Sequence, residues 1–155
     1  MSDIVNAVIS SGVGAASAMA VLLVGQFLTR RQRERERNTE QTEAAAALRF
    51  EVASNLKWAD DIFDTRNYLR DEAWCNLKNK GYITYLKKPI PARVIDTYNN
   101  LHRLNYWIYV LKEKEQSLSF EEDKACRARK DFLRDAQSLI DELDLKYPDM
   151  ARNFR

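Results

Sequence analysis

The chain has 155 residues, of which 45% are apolar and 31% charged, and 25 basic against 23 acidic residues give a formal net charge of +2. This composition is typical of a folded chain, and the near-neutral balance argues against a protein that coats DNA or long RNA. Only four glycines are present, so Gly-rich phosphate loops and most hairpin-rich folds are excluded. One histidine and two cysteines are too few for a conventional structural metal site, and we expect no metal, cofactor or enzyme activity.

The N-terminal region contains 25 consecutive residues without a charged side chain, from Ile4 to Leu28. As a helix they measure about 37 Å, more than the roughly 30 Å of a bilayer core. No basic residue precedes them, which argues against a signal peptide, whereas five arginines follow between Arg30 and Arg37. The positive-inside rule then predicts one span in the inner cell membrane, an external N-terminus and a cytoplasmic remainder. Both cysteines are expected to be free, partly buried thiols.

Small residues recur within the predicted span, on two neighbouring helical lines. The set proposed to pack between copies of the chain is Ser10, Gly12, Gly14, Ala16 and Ala18. In lipid, small side chains allow helix backbones to approach closely, which favours a homo-oligomer. The frequency of Ala and Gly in membrane helices is the alternative explanation.

The predicted fold class is all-α: a transmembrane helix over residues 1–29, a basic juxtamembrane segment over 30–38 that suits anionic lipid, and a cytosolic helical domain over 39–155. Neither Gly nor Pro occurs between Gly25 and Gly81, which predicts an unbroken first cytoplasmic helix. Tyr82–Lys88 is expected to be a loop. Further helices are predicted from Ala92 to about Glu115 and from Ser119 to Tyr147. Three long helices would form an antiparallel bundle. The first is expected to bury the apolar stripe Leu48, Val52, Leu56, Ala59, Ile62, Phe63, Leu69, Ala73 and Leu77.

The connection between the first two cytoplasmic helices has the most unusual composition, because it lacks acidic residues from Ala73 to Ile95. The candidate ligand-binding residues are Lys78, Lys80, Tyr82, Tyr85, Lys87, Lys88 and Arg93. Amines neutralise phosphates and aromatic rings stack on bases, so the mixture suits a nucleotide. It equally suits contact with lipid headgroups, a protein partner or an ordinary solvated loop.

Two polar residues lie on the predicted second helix. His102 is expected to be a partly buried polar residue rather than a metal ligand. Asn105 falls in the apolar stripe of Leu101 and Ile108, where it needs a hydrogen-bonding partner, and a role in structural registry is predicted.

Three short motifs carry a resemblance. Glu51-Val-Ala-Ser-Asn55-Leu56, Ala73-Trp74-x-x-Leu77 and Tyr98-x-x-Leu101-x-x-Leu104-Asn105 resemble the E-x-x-x-N-L and Y-x-x-L-x-x-L-N signatures of small prokaryotic single-pass membrane proteins with a helical cytosolic domain. The resemblance implies buried Glu/Asn/Tyr pairing between the first two cytoplasmic helices. In architecture alone the chain is also similar to CRISPR-associated antiviral membrane effectors that respond to cyclic oligoadenylate.

Two functions follow as expectations. The first is an oligomeric membrane effector whose cytosolic domain senses a ligand, most specifically a cyclic oligonucleotide, and switches its membrane segments. The alternative is a membrane-anchored scaffold or regulator that binds a protein partner through its helical bundle.

Overall fold

The computed structural model describes residues 2–113, 119–148 and 150, with side chains described from Met19 onward. The elements are α1 (Ser2–Asp60), α2 (Ile62–Thr65), α3 (Glu72–Asn79), a 3₁₀ helix (Tyr82–Tyr85), α4 (Ile90–Glu113) and α5 (Ser119–Lys146). Over these described ranges every regular element is helical. The predicted all-α fold class is confirmed.

The chain divides into two units, Met1–Glu40 and Gln41–Arg155. The first unit is helical from Ser2 onward, and its described side chains, from Met19, are exposed. Among described side chains, no helix offers an apolar stretch of the length a membrane crossing requires. The first fifteen residues of the predicted span, and with them Ser10, Gly12, Gly14, Ala16 and Ala18, lie outside the described side chains. The membrane span and its oligomer face therefore stay predictions.

The core of the second unit is formed by the end of α1 together with α4 and α5. Apolar positions recur every three or four residues on these helices, so each presents one stripe to the others. Fully buried side chains in this core include Leu48, Val52, Tyr98, Leu101, Leu104, Ile108, Phe132, Leu139 and Leu143.

Polar contacts at the edges of this core give the helix directions. Arg93 near the start of α4 pairs with Glu142 near the end of α5, and Arg103 pairs with Asp131, so α4 and α5 are antiparallel as predicted. Arg49 of α1 forms two hydrogen bonds with Asp144 of α5, at 2.5 and 3.0 Å. Further along α1, the carbonyl of Ala59 accepts a hydrogen bond from the earlier α5 residue Arg129 at 2.6 Å. Thus α5 is antiparallel to α1 as well.

The predicted unbroken first cytoplasmic helix is wrong. Helix α1 ends at Asp60, and after α2 the chain has no regular secondary structure at residues 66–71, which we call the strap. Arg66 has a left-handed backbone, with φ of 49°, and its guanidinium donates to the carbonyl of Leu111 at 3.0 Å. No Gly or Pro marks this break; side-chain hydrogen bonds to the strap replace the backbone bonds that a helix would make.

The break changes the direction of α1 relative to α4 from the predicted antiparallel one. Glu51 of α1 contacts Tyr98 of α4, and Arg66, later in the chain, contacts Leu111 near the end of α4. Helices α1 and α4 therefore run in the same direction, because the strap, α3 and the 3₁₀ helix return the chain to the Gln41 end of the unit. An antiparallel pair α1–α4, as expected for three successive long helices, is not formed.

Candidate functional site

A buried polar cluster fastens the strap and α3 to the bundle. We call its four residues, Glu51, Asn55, Tyr98 and Asn105, the polar clamp. The Asn105 amide donates to the carbonyl of Leu69 at 2.9 Å and accepts from the N–H of Leu69 at 2.8 Å. Asn55 does the same for Arg70, at 2.7 and 2.9 Å. Each asparagine thus bonds to both the N–H and the carbonyl of one strap residue, and the predicted partner of Asn105 is found.

Glu51 links three elements through one carboxylate. It accepts a hydrogen bond from the Tyr98 hydroxyl at 2.5 Å and another from the backbone N–H of Ala73 at 2.7 Å. The second bond satisfies an N–H in the first turn of α3, whose own N-cap residue Asp71 makes no side-chain cap. The Glu/Tyr pairing between α1 and α4 implied by the resemblance is present, whereas both asparagines bind the strap instead.

Three clamp residues, Glu51, Asn55 and Tyr98, are buried, and Asn105 is half-buried. Burial, followed by the hydrogen bond to Glu51, raises the pKa of Tyr98 far above its ordinary value of 10.0. Trp74 stacks on the Tyr98 ring, with centroids 5.3 Å apart and planes 13° from parallel. Asn55, Asn105 and one Glu51 oxygen bond to backbone, and the Tyr98 hydroxyl bonds to the other Glu51 oxygen, so the chemistry of the cluster is structural.

The residues predicted to bind a ligand lie on three elements at the Gln41 end of the second unit. Lys80 Nζ is 5.8 Å from the Tyr82 ring, and Tyr82 and Tyr85 have centroids 5.9 Å apart. Lys87 donates from its backbone to the Tyr147 hydroxyl at 3.1 Å and from Nζ to the carbonyl of Lys146, also at 3.1 Å. We call this region the basic end, and its members are Lys80, Tyr82, Tyr85, Lys87, Lys88 and Lys146.

Lys78 and Arg93, the other two residues predicted to bind a ligand, have different surroundings. Lys78 is exposed on α3, one turn before the basic end. Arg93 lies on α4, where it pairs with Glu142 and donates to Ser138 Oγ at 2.8 Å. Two of the five predicted cations, Lys87 and Arg93, therefore bind α5 directly. This use as a structural contact could not be read from the composition of the connection.

His102 and the two cysteines are at the surface. The His102 imidazole, 48% exposed, lies 3.7 Å from the Asp71 carboxylate. Cys75 and Cys126 are free thiols as predicted but are exposed rather than partly buried. Across the described part of the chain, no three His, Cys, Asp or Glu side chains are grouped so that they could hold a metal ion.

One surface was missed in the sequence. Helix α1 carries a second apolar stripe, Ala46, Phe50 and Ala53, in which the two alanines are half-buried against the core and Phe50 is exposed. Phe50 is 68% exposed. A shallow surface pocket of about 390 Å³, lined by α1 alone, lies along this stripe, and we call it the α1 groove; its lining is Ala46, Arg49, Phe50, Ala53, Ser54 and Lys57. The spacing of these residues, outside the core stripe, was the available signal.

Comparison of the chain with protein-family models, with curated proteins and with solved structures found no match.

Proposed function

We propose that this chain is a membrane-anchored scaffold whose helical domain binds a protein partner. The apolar segment 4–28 would be its single span, with Ser10, Gly12, Gly14, Ala16 and Ala18 packing between copies, and the following arginines would keep the domain at the cytoplasmic face. In this proposal an apolar surface recognises the protein partner, while Lys87 and Arg93 bond to α5.

The α1 groove is the observation that carries this proposal. An exposed phenylalanine between two alanines is costly to leave in water and useful to cover, because burial of apolar area drives association. Small residues on either side of a large one let a second helix approach closely. An amphipathic helix, laid along α1 with its apolar face on Phe50, is the partner that fits this groove.

Photo-crosslinking in cells tests the proposal on the full-length chain. A photoreactive phenylalanine in place of Ser54 lies in the groove, and one in place of Tyr106, itself 58% exposed on α4, is the control position. We expect a discrete cross-linked protein from position 54 only. Adding Phe50→Asp should abolish it, whereas the matched change Tyr106→Asp should not.

Binding of the purified partner then gives the magnitude. Phe50→Ala should weaken affinity by about 2 kcal/mol, roughly thirty-fold, if the ring is the central anchor. A cross-link of equal strength from both positions, or one only to a second copy of this chain, would contradict the scaffold proposal.

A second candidate is the ligand-sensing effector, favoured by the adjacency of Lys80, Tyr82 and Tyr85. A cyclic oligoadenylate held there would raise the melting temperature of the full chain, since a ligand that binds the folded state stabilises it. Lys88→Glu should remove this shift. If no cyclic di-, tri-, tetra- or hexanucleotide changes the melting temperature, the scaffold remains the better account.

A further inference from the structure

The basic end occupies a defined position in the second unit. Lys87 bonds the last turn of α5 through Lys146 and Tyr147. The same part of α5 contacts α1 through Asp144 and Arg49. The basic end is therefore at the end of the bundle where the chain enters at Gln41, and not at the opposite end, which an unbroken first helix would have required.

Positive charge at this end is poorly compensated. Lys88, and Lys78 on the neighbouring last turn of α3, are exposed and make no ion pair with any described residue. The nearby α5 carboxylates Glu142 and Asp144 are occupied by Arg93 and Arg49. Asp141 accepts from Gln137 within α5, and Glu43 is an exposed acid on α1 at this end. Asp96 is a further exposed acid, on α4. Among the described residues the five lysines of this region, Lys78, Lys80, Lys87, Lys88 and Lys146, outnumber Glu43, Asp96 and Asp141.

Apolar and aromatic surface accompanies the charge. Tyr85 is 40% exposed beside Tyr82, and Leu145, next to Lys146, is 73% exposed. Lysine stems and tyrosine rings place an apolar body against lipid and a polar tip in the headgroup layer. An exposed leucine beside Lys146 can enter the same layer.

We propose that the basic end is a docking surface for anionic lipid headgroups. Charge complementarity selects a phosphate-bearing surface, and the exposed Tyr85 and Leu145 favour a membrane over a soluble phosphate. The inference deepens the proposed function and depends on its membrane anchoring: the domain of an anchored chain would be held at the inner leaflet through this end, leaving the α1 groove for a partner.

Fluorescence quenching in lipid nanodiscs tests the docking with the full chain. In a Cys75→Ser, Cys126→Ser background, a fluorophore is attached at Thr84→Cys in the basic end or at Asp123→Cys at the start of α5. The discs contain phosphatidylcholine, with or without phosphatidylglycerol, and a headgroup-nitroxide lipid as quencher. We expect quenching at position 84 to exceed that at 123, to increase with phosphatidylglycerol and to fall with added salt.

Charge reversal supplies the matched variants. Each lysine near an anionic surface favours the bound state by roughly five-fold, so Lys80→Glu with Lys88→Glu should lower the ratio of docked to undocked protein more than about twenty-five-fold. Arg127→Glu with Lys130→Glu, an identical charge change at exposed α5 positions, should leave quenching unchanged. If the reversed variant is unstable, the labelled chain without charge reversal still tests the docking through its response to salt and lipid.

Three results would overturn the inference: equal quenching at positions 84 and 123, quenching at 84 that ignores phosphatidylglycerol, or a signal that changes only with soluble cyclic oligoadenylate. The last would identify a free phosphate ligand. A fluorophore at Leu22→Cys, inside the predicted span, reports anchoring separately, so loss of docking and loss of the proposed membrane protein are distinguishable.

Discussion

At the scale of single residues, Glu51 is a side chain that joins three helices. Its two oxygens bind α4 through Tyr98 and α3 through the N–H of Ala73, and it is only 8% exposed. A buried carboxylate is tolerated when its oxygens are both hydrogen-bonded. Replacement of either partner would leave an acceptor unsatisfied away from water.

Tyr98 makes this arrangement measurable through pH. Burial and the Glu51 bond hold the pKa of Tyr98 above its ordinary 10.0 in the folded chain. Above that pH the unfolded chain has lost a proton that the folded chain retains, so the free energy of unfolding should fall as pH rises. Denaturant titrations from about pH 8 to about pH 11 should show this fall, and Tyr98→Phe should make it shallower.

The same variant should cost about 1–3 kcal/mol at neutral pH, because Glu51 loses a donor. Tyr106→Phe, at an exposed position, serves as the control and should change neither quantity. If the stability of both variants depends on pH as the parent's does, burial and the Glu51 bond do not raise the pKa of Tyr98.

At the scale of elements, the strap shows how backbone polar groups are hydrogen-bonded where the chain is not helical. The polar groups of Leu69 and Arg70 bond to Asn105 and Asn55, on the two helices that flank the strap. The side chain of Leu69 is buried beneath it. Backbone satisfaction and apolar burial are thus achieved together without regular secondary structure.

Hydrogen exchange should reveal this arrangement residue by residue. The amides of Leu69, Arg70 and Ala73 should exchange slowly although the strap is not helical, because each donates to a clamp side chain. Asn55→Ala should release Arg70 while Leu69 stays protected, and should cost about 1–3 kcal/mol. Asn99→Ala, at an exposed α4 position, should alter neither amide. Fast exchange of all three amides in the parent would contradict the clamp.

The elements also differ in how far the sequence could predict them. Helices α4 and α5 were predicted closely, since proline at the start, a capping pattern and continuous apolar stripes act locally. The predicted apolar stripe of the first helix is also buried or half-buried, from Leu48 to Leu77. Local patterns could not predict the break after Asp60. The break depends on hydrogen bonds from Asn55 and Asn105 to the strap, and these form only once the helices have packed.

At the scale of the whole molecule, that break determines where the candidate site lies. Lys80, Tyr82 and Tyr85, which are close together in the sequence, also contact one another in the structure. The sequence did not predict that Lys87 and Arg93 would bind α5, or that the region would lie at the Gln41 end. Both outcomes follow from the parallel course of α1 and α4, which is a property of tertiary packing.

Topology is the whole-molecule prediction on which the proposed anchoring depends. A reporter fused after Arg155 should show that the C-terminus is in the cytoplasm, because the five arginines between 30 and 37 keep the chain that follows the span on the cytoplasmic side. Moving those arginines to the N-terminus should invert the chain and expose the reporter outside. Exchanging Lys124, Arg127 and Lys130 for glutamine, far from the span in sequence, is the control and should leave the orientation unchanged, since positive charges act within about 15–20 residues of a membrane segment. An external reporter on the native chain, or recovery of the native chain from the soluble fraction, would remove the anchored scaffold from consideration and leave the α1 groove without the membrane setting assigned to it.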